Sequence, residues 1–128
     1  MKLFKLPVVA SDVFVTVGGQ TKYIIGDLDS FTEITAAETA ADQCVIVCGV
    51  GTITVTTDGN DDAEKQANAI KFAAYISDRI AKFAGDGYVH ASGVVDLIPS
   101  ISEMTSNAGF VVTGAENNTA IKTIAITA

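Results

Sequence analysis

A long stretch without glycine or proline, residues 63–84, constrains the fold most, because it predicts one long helix among many strand patterns. Asp61 stands before it as a good N-cap, and Glu64 follows three residues later, as in a capping box. Gly85 fits the C-cap position. The apolar residues of this stretch recur at helical spacing, namely Phe72, Ala73, Ile76, Ile80 and Phe83. The sequence therefore predicts an amphipathic helix over about 61–84 whose apolar face covers a sheet.

The strongest strand pattern lies just before this helix. Residues 44–48 (Cys-Val-Ile-Val-Cys) form a continuous apolar run, which is typical of a strand buried on both faces. Gly49-Val50-Gly51 interrupts it, and residues 52–56 then alternate threonine with Ile53 and Val55. This pattern predicts a hairpin whose second strand points Ile53 and Val55 inward.

The rest of the chain also favours strands. Period-2 alternation or apolar runs predict extended segments at Leu3–Val8, Val13–Val17, Thr21–Ile25, Tyr88–Ile98, Gly109–Thr113 and Thr119–Thr127. Gly18-Gly19-Gln20 predicts a hairpin turn, and Asp27–Asp42 is interpreted as strand followed by loop. We therefore expect an α+β fold: a mostly antiparallel β-sheet or sandwich packed against one amphipathic helix (61–84), in a single domain over 1–128.

Charge narrows the classes of partner. The net charge is −7, and the eight lysines and arginines are scattered, with Arg79 the only arginine. Nucleic-acid binding needs clustered positive charge, so no nucleic-acid partner is expected. No stretch reaches the ~18 apolar residues of a membrane span, so no membrane partner is expected either. Charged residues make up 18% of the chain, below the usual ~25%, which indicates either a surface rich in threonine, serine and glycine or a surface partly covered by another protein.

Catalytic residues are hard to assemble from this sequence. His90 is the only histidine, and neither Ser92 nor Ser102 lies in a nucleophile motif. We therefore predict that the protein is not an enzyme. The alternative is a small enzyme or ligand-binding domain that uses His90 with a nearby carboxylate such as Asp96.

No metal or cofactor is expected. Asp58, Asn60 and Asp62 match the first half of a calcium loop, but alanines occupy its sixth and twelfth positions, where glycine and glutamate are needed. A turn followed by a helix cap explains these residues. Cys44 and Cys48 would lie about 13 Å apart on one strand, too far for a disulfide, and are expected to be buried thiols.

The overall layout resembles one group of proteins. The chain opens with a short basic and apolar strand at 2–8, continues through the threonine-rich strand at 52–57 and an acidic turn before one helix, and closes on Ile-Lys-Thr-Ile-Ala-Ile at 121–126. In this it resembles the small virion structural proteins of tailed bacteriophages, especially head-decoration (capsid cement) proteins of marine phages. The resemblance implies a location in the virion, and as partners other copies of this chain and the major capsid protein. A tail or neck component is the alternative within this group.

In such proteins the terminal arms contact neighbouring capsid subunits. The resemblance therefore implies a set of contact candidates in the two terminal strands: Lys2, Leu3, Phe4, Lys5, Leu6, Val8, Ile121, Ile124 and Ile126. Apolar terminal strands also suit addition to the open sheet edge of a neighbour. The opposite possibility, that both ends pair inside the domain's own sheets, is equally compatible with the sequence.

Overall fold

The computed structural model describes residues 2–38, 40–84, 93–98, 105, 109–110, 112 and 119–127. Its elements in chain order are β1 (Leu3–Pro7), β2 (Val9–Ala10), β3 (Val13–Phe14), β4 (Thr16–Val17), β5 (Gln20–Thr21), β6 (Tyr23–Asp27), a 3-10 turn (Leu28–Ser30), β7 (Glu33–Ala36), β8 (Gln43–Cys48), β9 (Gly51–Thr57), α1 (Asp62–Ala84), β10 (Val94–Asp96) and β11 (Ile121–Thr127).

The strands form two main sheets and one small hairpin. The larger sheet has the order β3-β2-β11-β9-β8-β7 and is antiparallel throughout. The smaller sheet has the order β10-β1-β6, in which β1 runs antiparallel to β6 and parallel to β10. Strands β4 and β5 pair only with each other. The predicted α+β class, mostly antiparallel with one helix, is confirmed.

The hairpin of β8 and β9 forms the centre of the larger sheet. Cys44, Ile46 and Cys48 of β8 alternate with half-buried valines, and Ile53 and Val55 of β9 are fully buried between half-buried threonines. The inward positions of β9 are confirmed. The valines of β8 are less buried than a strand covered on both faces requires, because α1 covers one face of this sheet only.

Helix α1 begins and ends close to the predicted bounds. The Asp61 carboxylate accepts a hydrogen bond from the Glu64 main-chain N–H at 2.9 Å, as an N-cap does. Phe72 and Ile76 are completely buried, and the helix packs against β7, β8 and β9. Thr57, at the end of β9, donates its hydroxyl hydrogen bond to the Lys65 carbonyl at 2.7 Å. This bond fixes the first turn of the helix against the sheet.

One strand links the two sheets. β1 belongs to the smaller sheet, and the chain passes through Val8 directly into β2 of the larger sheet. Pro7 has no N–H, so it cannot extend the ladder between β1 and β10 beyond the last bond, from the Leu97 N–H to the Lys5 carbonyl at 3.1 Å. The buried side chains of both sheets and the helix form one continuous core.

The predicted strand over Val13–Val17 is broken at Val15. The Val15 N–H donates to the Val8 carbonyl, and the Val15 carbonyl accepts from the Lys22 N–H, both at 2.8 Å. Both β3 and β6 pair with the continuous β1–β2 strand, so the chain between them leaves the sheets as the β4–β5 hairpin. Its turn residues Gly18 and Gly19 have φ of +61° and +81°, which suits a two-residue hairpin turn.

Other predictions near the carboxyl end are met only in part. β11 begins at Ile121, two residues later than predicted. In the predicted strand Gly109–Thr113, the described residues Gly109, Phe110 and Val112 are not in a strand, and Val111 and Thr113 lie outside the described residues. Residues 88–92 of the predicted strand Tyr88–Ile98, which include His90 and Ser92, lie outside the described residues as well, as do Ser102 and the predicted C-cap Gly85.

The helix offers a direct test of the packing. Replacing Phe72 with alanine removes a completely buried ring from the interface of helix and sheet, and should lower the free energy of unfolding by about 3–5 kcal/mol. Ile70→Ala is the matched control, because Ile70 is 52% exposed on the same helix, and it should change stability by less than about 0.5 kcal/mol. Urea denaturation followed by circular dichroism measures both values. Equal losses from the two variants would contradict this packing.

Candidate functional site

The candidate site is an apolar cleft between the edge strand β6 and the carboxyl end of β11. Its volume is about 350 Å³. The cleft is lined by Val8, Lys22, Tyr23, Ile24, Ile25, Val50, Ala125 and Ile126. These residues come from the link between the sheets, from β6, from the β8–β9 turn and from β11. Six of them have aliphatic side chains, so the cleft is a hydrophobic surface open to solvent.

Exposed hydrophobic side chains concentrate here. Within the described residues, seven large hydrophobic side chains are exposed, and four of them line this cleft: Tyr23 (36%), Ile25 (54%), Val50 (38%) and Ile126 (39%). Single exposed apolar residues are common on protein surfaces, but a contiguous group marks an interaction site. The clustering identifies this cleft as the candidate site.

The main-chain groups of β6 point alternately to the two sides of the strand. β6 is the last strand of the smaller sheet, so among the described strands it has β1 on one side and none on the other. The Val8 N–H bonds to the Lys22 carbonyl, and the Leu28 N–H bonds to the Lys2 carbonyl. Since such bonds alternate along an antiparallel pair, the main-chain groups of the even-numbered residues point to β1. Those of Tyr23 and Ile25 therefore point to the open edge.

The opposite wall of the cleft is also a strand with one unpaired side. β11 pairs with β9 along its whole length, but with β2 at a single position, Ile124 opposite Val9. Beyond Ile124, the segment that precedes β2 belongs to the smaller sheet as β1, so it no longer pairs with β11. Ile126 faces the same side of the larger sheet as the buried Ile124, yet it remains 39% exposed, and on the side away from β9 the described strand next to this end of β11 belongs to the smaller sheet.

The β8–β9 turn closes one end of the cleft. A Cβ added at Gly26 would lie 2.8 Å from the Phe4 ring and 3.2 Å from Val50 Cγ1. This close approach requires glycine at position 26, and it brings Val50 against β6. The cleft wall therefore depends on contacts among three elements that are distant in sequence.

Polar groups at the cleft are few. Lys22 is the only charged residue among the described residues that line the cleft. Tyr23 supplies a phenol, and the Lys5 ammonium lies 4.7 Å from the centre of its ring, within the range of a cation–π contact. Lys5 also pairs with the Asp96 carboxylate at 3.5 Å. Lys5 thus holds the Tyr23 ring in place, and the lining itself combines the charged residue Lys22 with a hydrophobic surface.

The predicted contact residues divide into two groups. Val8 and Ile126 line the cleft, and Lys5 contacts its Tyr23. Leu3 is half-buried in β1 beside Val94 and Asp27. The Lys2 ammonium donates a hydrogen bond to the Phe83 carbonyl at 2.9 Å, at the end of α1.

Four contact candidates need correction. Phe4, Leu6, Ile121 and Ile124 are at most 1% exposed and belong to the hydrophobic core. Both terminal strands pair with strands of the same chain, β1 with β6 and β10, and β11 with β2 and β9. The side chains of these four residues therefore stabilise the domain and are not available to a partner.

The sequence interpretation missed Lys22, Tyr23, Ile25 and Val50. A signal for Ile25 was present, because Ile24 and Ile25 are adjacent in a strand and adjacent side chains point to opposite faces. Only one of the two can face the core, and Ile24 is 5% exposed while Ile25 is 54% exposed. Val50 between two glycines of a turn gave no comparable signal.

The other chemical candidates have structural roles. Asp96 pairs with Lys5, and its carbonyl accepts a hydrogen bond from Arg79 at 2.9 Å. Asp58 accepts a hydrogen bond from the Gly59 N–H at 2.8 Å and its carbonyl accepts one from Asn68, as expected of a turn before a helix. Within the described residues, histidine, cysteine, aspartate and glutamate form no group of three suited to a metal ion.

The two cysteines are free and buried in β8. Burial disfavours the thiolate and raises the pKa of Cys44 from 9.0 to about 11. A thiol is a weak nucleophile in its protonated form. Cys44 therefore acts as a small hydrophobic residue of the core, as predicted.

Comparison with known proteins adds no relative. No family model, no curated protein and no solved structure matches this chain. Among the described residues, no helix is long and apolar enough to cross a membrane. The functional argument for this protein therefore depends on the site itself.

The pKa of Cys44 predicts how stability changes with pH. The thiol has a higher pKa in the folded state than in the unfolded chain, so its contribution is complete below about pH 9 and is lost as the pH rises toward 11. The loss should reach about 2–3 kcal/mol. Urea denaturation of the wild type and of Cys44→Ala at pH 8 and pH 10.5 measures it, because the variant lacks this contribution. The same drop with pH in both proteins would contradict the assignment.

Proposed function

We propose that this protein is a virion structural subunit, of the capsid decoration (cement) type, that stabilises the head through protein–protein contacts at the apolar cleft. The observation that carries the proposal is the concentration of four exposed hydrophobic side chains in one cleft. Complete burial of an aliphatic side chain contributes about 1.5–3 kcal/mol, and these four side chains are 36–54% exposed, so a protein partner gains roughly 0.5–1.5 kcal/mol from each. The partners are other copies of this chain and the major capsid protein, and the place of action is the virion.

A contact function fits the chemistry of the cleft better than catalysis. General acid–base or nucleophilic catalysis needs a proton-transferring or nucleophilic group placed beside other polar groups. The cleft lining offers the Lys22 ammonium and the Tyr23 phenol among aliphatic side chains. These residues support a contact role rather than an enzymatic one as the proposal for this cleft. The carboxylate of Asp96, the predicted partner of His90, pairs with Lys5 through Oδ2, and the Asp96 main-chain carbonyl accepts a hydrogen bond from Arg79.

The layout of the chain supports the virion assignment within the class of contact proteins. Decoration proteins act through surfaces, and the apolar cleft between β6 and the end of β11 provides such a surface. A tail or neck component would use the same kind of surface and is the second candidate. The two roles differ in the particle to which the protein binds.

The proposal is tested by binding to phage heads. Heads assembled from the major capsid protein of the same genome are sedimented with the wild-type chain, with Ile25→Asp/Ile126→Asp and with Val17→Asp. Wild type should sediment with the heads in a saturable manner. The double variant should bind at least about tenfold more weakly, because both charges enter the cleft. Val17 is 67% exposed but outside the cleft, so Val17→Asp should bind within about twofold of wild type.

Thermal unfolding of all three proteins shows whether the variants fold, since the substituted side chains are all exposed. A genome without a capsid gene, or a folded wild-type chain that stays monomeric in light scattering and binds no heads, would contradict the proposal. Binding to purified tails or necks in place of heads would assign the second candidate.

A further inference from the structure

We infer that the occupant of the cleft is an extended segment of a partner protein, which adds as a strand to the open edge of β6 and places a carboxylate beside Lys22. This inference rests on the proposed function and specifies how the partner binds. It combines three observations at one place: main-chain groups that point to an open edge, an apolar surface next to that edge, and the positively charged residue Lys22 in the lining of the cleft.

The first observation is the direction of the main-chain groups along β6. The N–H and C=O groups of Tyr23 and Ile25 point away from β1, and among the described strands none pairs with this edge. These are the groups that bind an added strand. β6 is five residues long, which is enough for a short segment to pair through these two residues.

The second observation is the apolar cleft beside the open edge of β6. Side chains of an added strand point alternately to its two faces, so those on one face enter the cleft against Val50 and Ile126. A cleft of about 350 Å³ lies between two strands that have diverged, and it accommodates side chains of an extended segment rather than a folded domain. The partner segment therefore carries apolar residues at alternate positions.

The third observation is the positive charge of Lys22. Lys22 is the only charged residue among the described residues that line the cleft. A partner segment that places a carboxylate beside Lys22 is therefore favoured. Each copy of this chain carries a net charge of −7, so two copies repel each other and a separate partner segment is the better occupant.

Synthetic peptides test this mode of binding. The probe is a set of fluorescein-labelled heptapeptides that alternate isoleucine with threonine, with one glutamate at each threonine position in turn, measured by fluorescence anisotropy at low salt. At least one should bind the wild-type chain in a saturable manner. N-methylation of its alternate amides should weaken binding at least about tenfold, because it removes the strand hydrogen bonds. Methylation of the other alternate amides should have little effect.

Reversing the charge at position 22 tests whether Lys22 binds a carboxylate of the partner segment. Lys22→Glu should weaken the best glutamate peptide about fivefold, and the same peptide with lysine in place of glutamate should bind this variant more tightly than it binds wild type. Lys122→Glu is the matched control, since Lys122 is exposed on β11 but is not in the cleft lining, and it should leave binding unchanged.

Several outcomes would overturn the inference: no binding by any peptide of the set, equal binding of both N-methylated forms, or no effect of Lys22→Glu. A dimer seen by light scattering and lost in Ile25→Asp would make a second copy the occupant, which also overturns it. The head-binding assay separates the two proposals. Cleft-dependent binding to heads without peptide binding refutes only the strand addition, whereas peptide binding without binding to heads, tails or necks refutes only the virion role.

Discussion

The transfer of one strand from the smaller to the larger sheet at Val8 is the constraint on which the rest of the structure depends. Before this point β1 pairs with β6 and β10, and after it β2 pairs with β3 and β11. Pro7 ends one ladder because it lacks an N–H, and Val8 continues to bond to Lys22 through its own N–H. The core gains Phe4 and Leu6 from one side of the transfer and Val9 from the other.

The cleft is a geometric consequence of this transfer. Where the shared strand changes sheets, β6 and the end of β11 diverge, and side chains that face the interior elsewhere become accessible. Ile124 is buried while Ile126, two residues on and on the same face, is not. Joining two sheets through one strand thus leaves apolar side chains exposed between them. A partner in the cleft buries these side chains.

An open edge beside an apolar surface carries a risk of unspecific association. Two features of β6 limit this risk: the strand is only five residues long, and charged side chains lie at its ends, Lys22 before it and Asp27 as its last residue. The large negative net charge adds repulsion between copies. These features favour a partner chosen by charge and register over uncontrolled pairing of copies.

Local sequence patterns are sufficient to predict the helix with its Asp61 cap and its Phe72 and Ile76 face, the β8–β9 hairpin, and the buried thiol of Cys44. These follow from periodicity, capping and turn residues, which act over a few positions. Which strands pair is defined only in the folded domain, which places Phe4 and Ile124 in the core, whereas the sequence left open whether the terminal strands pair within the domain or reach a partner. The tertiary structure also assembled the cleft from β6, Val50 and β11, because pairing between distant strands depends on the packing of the whole core, and no local pattern encodes which edge is left open.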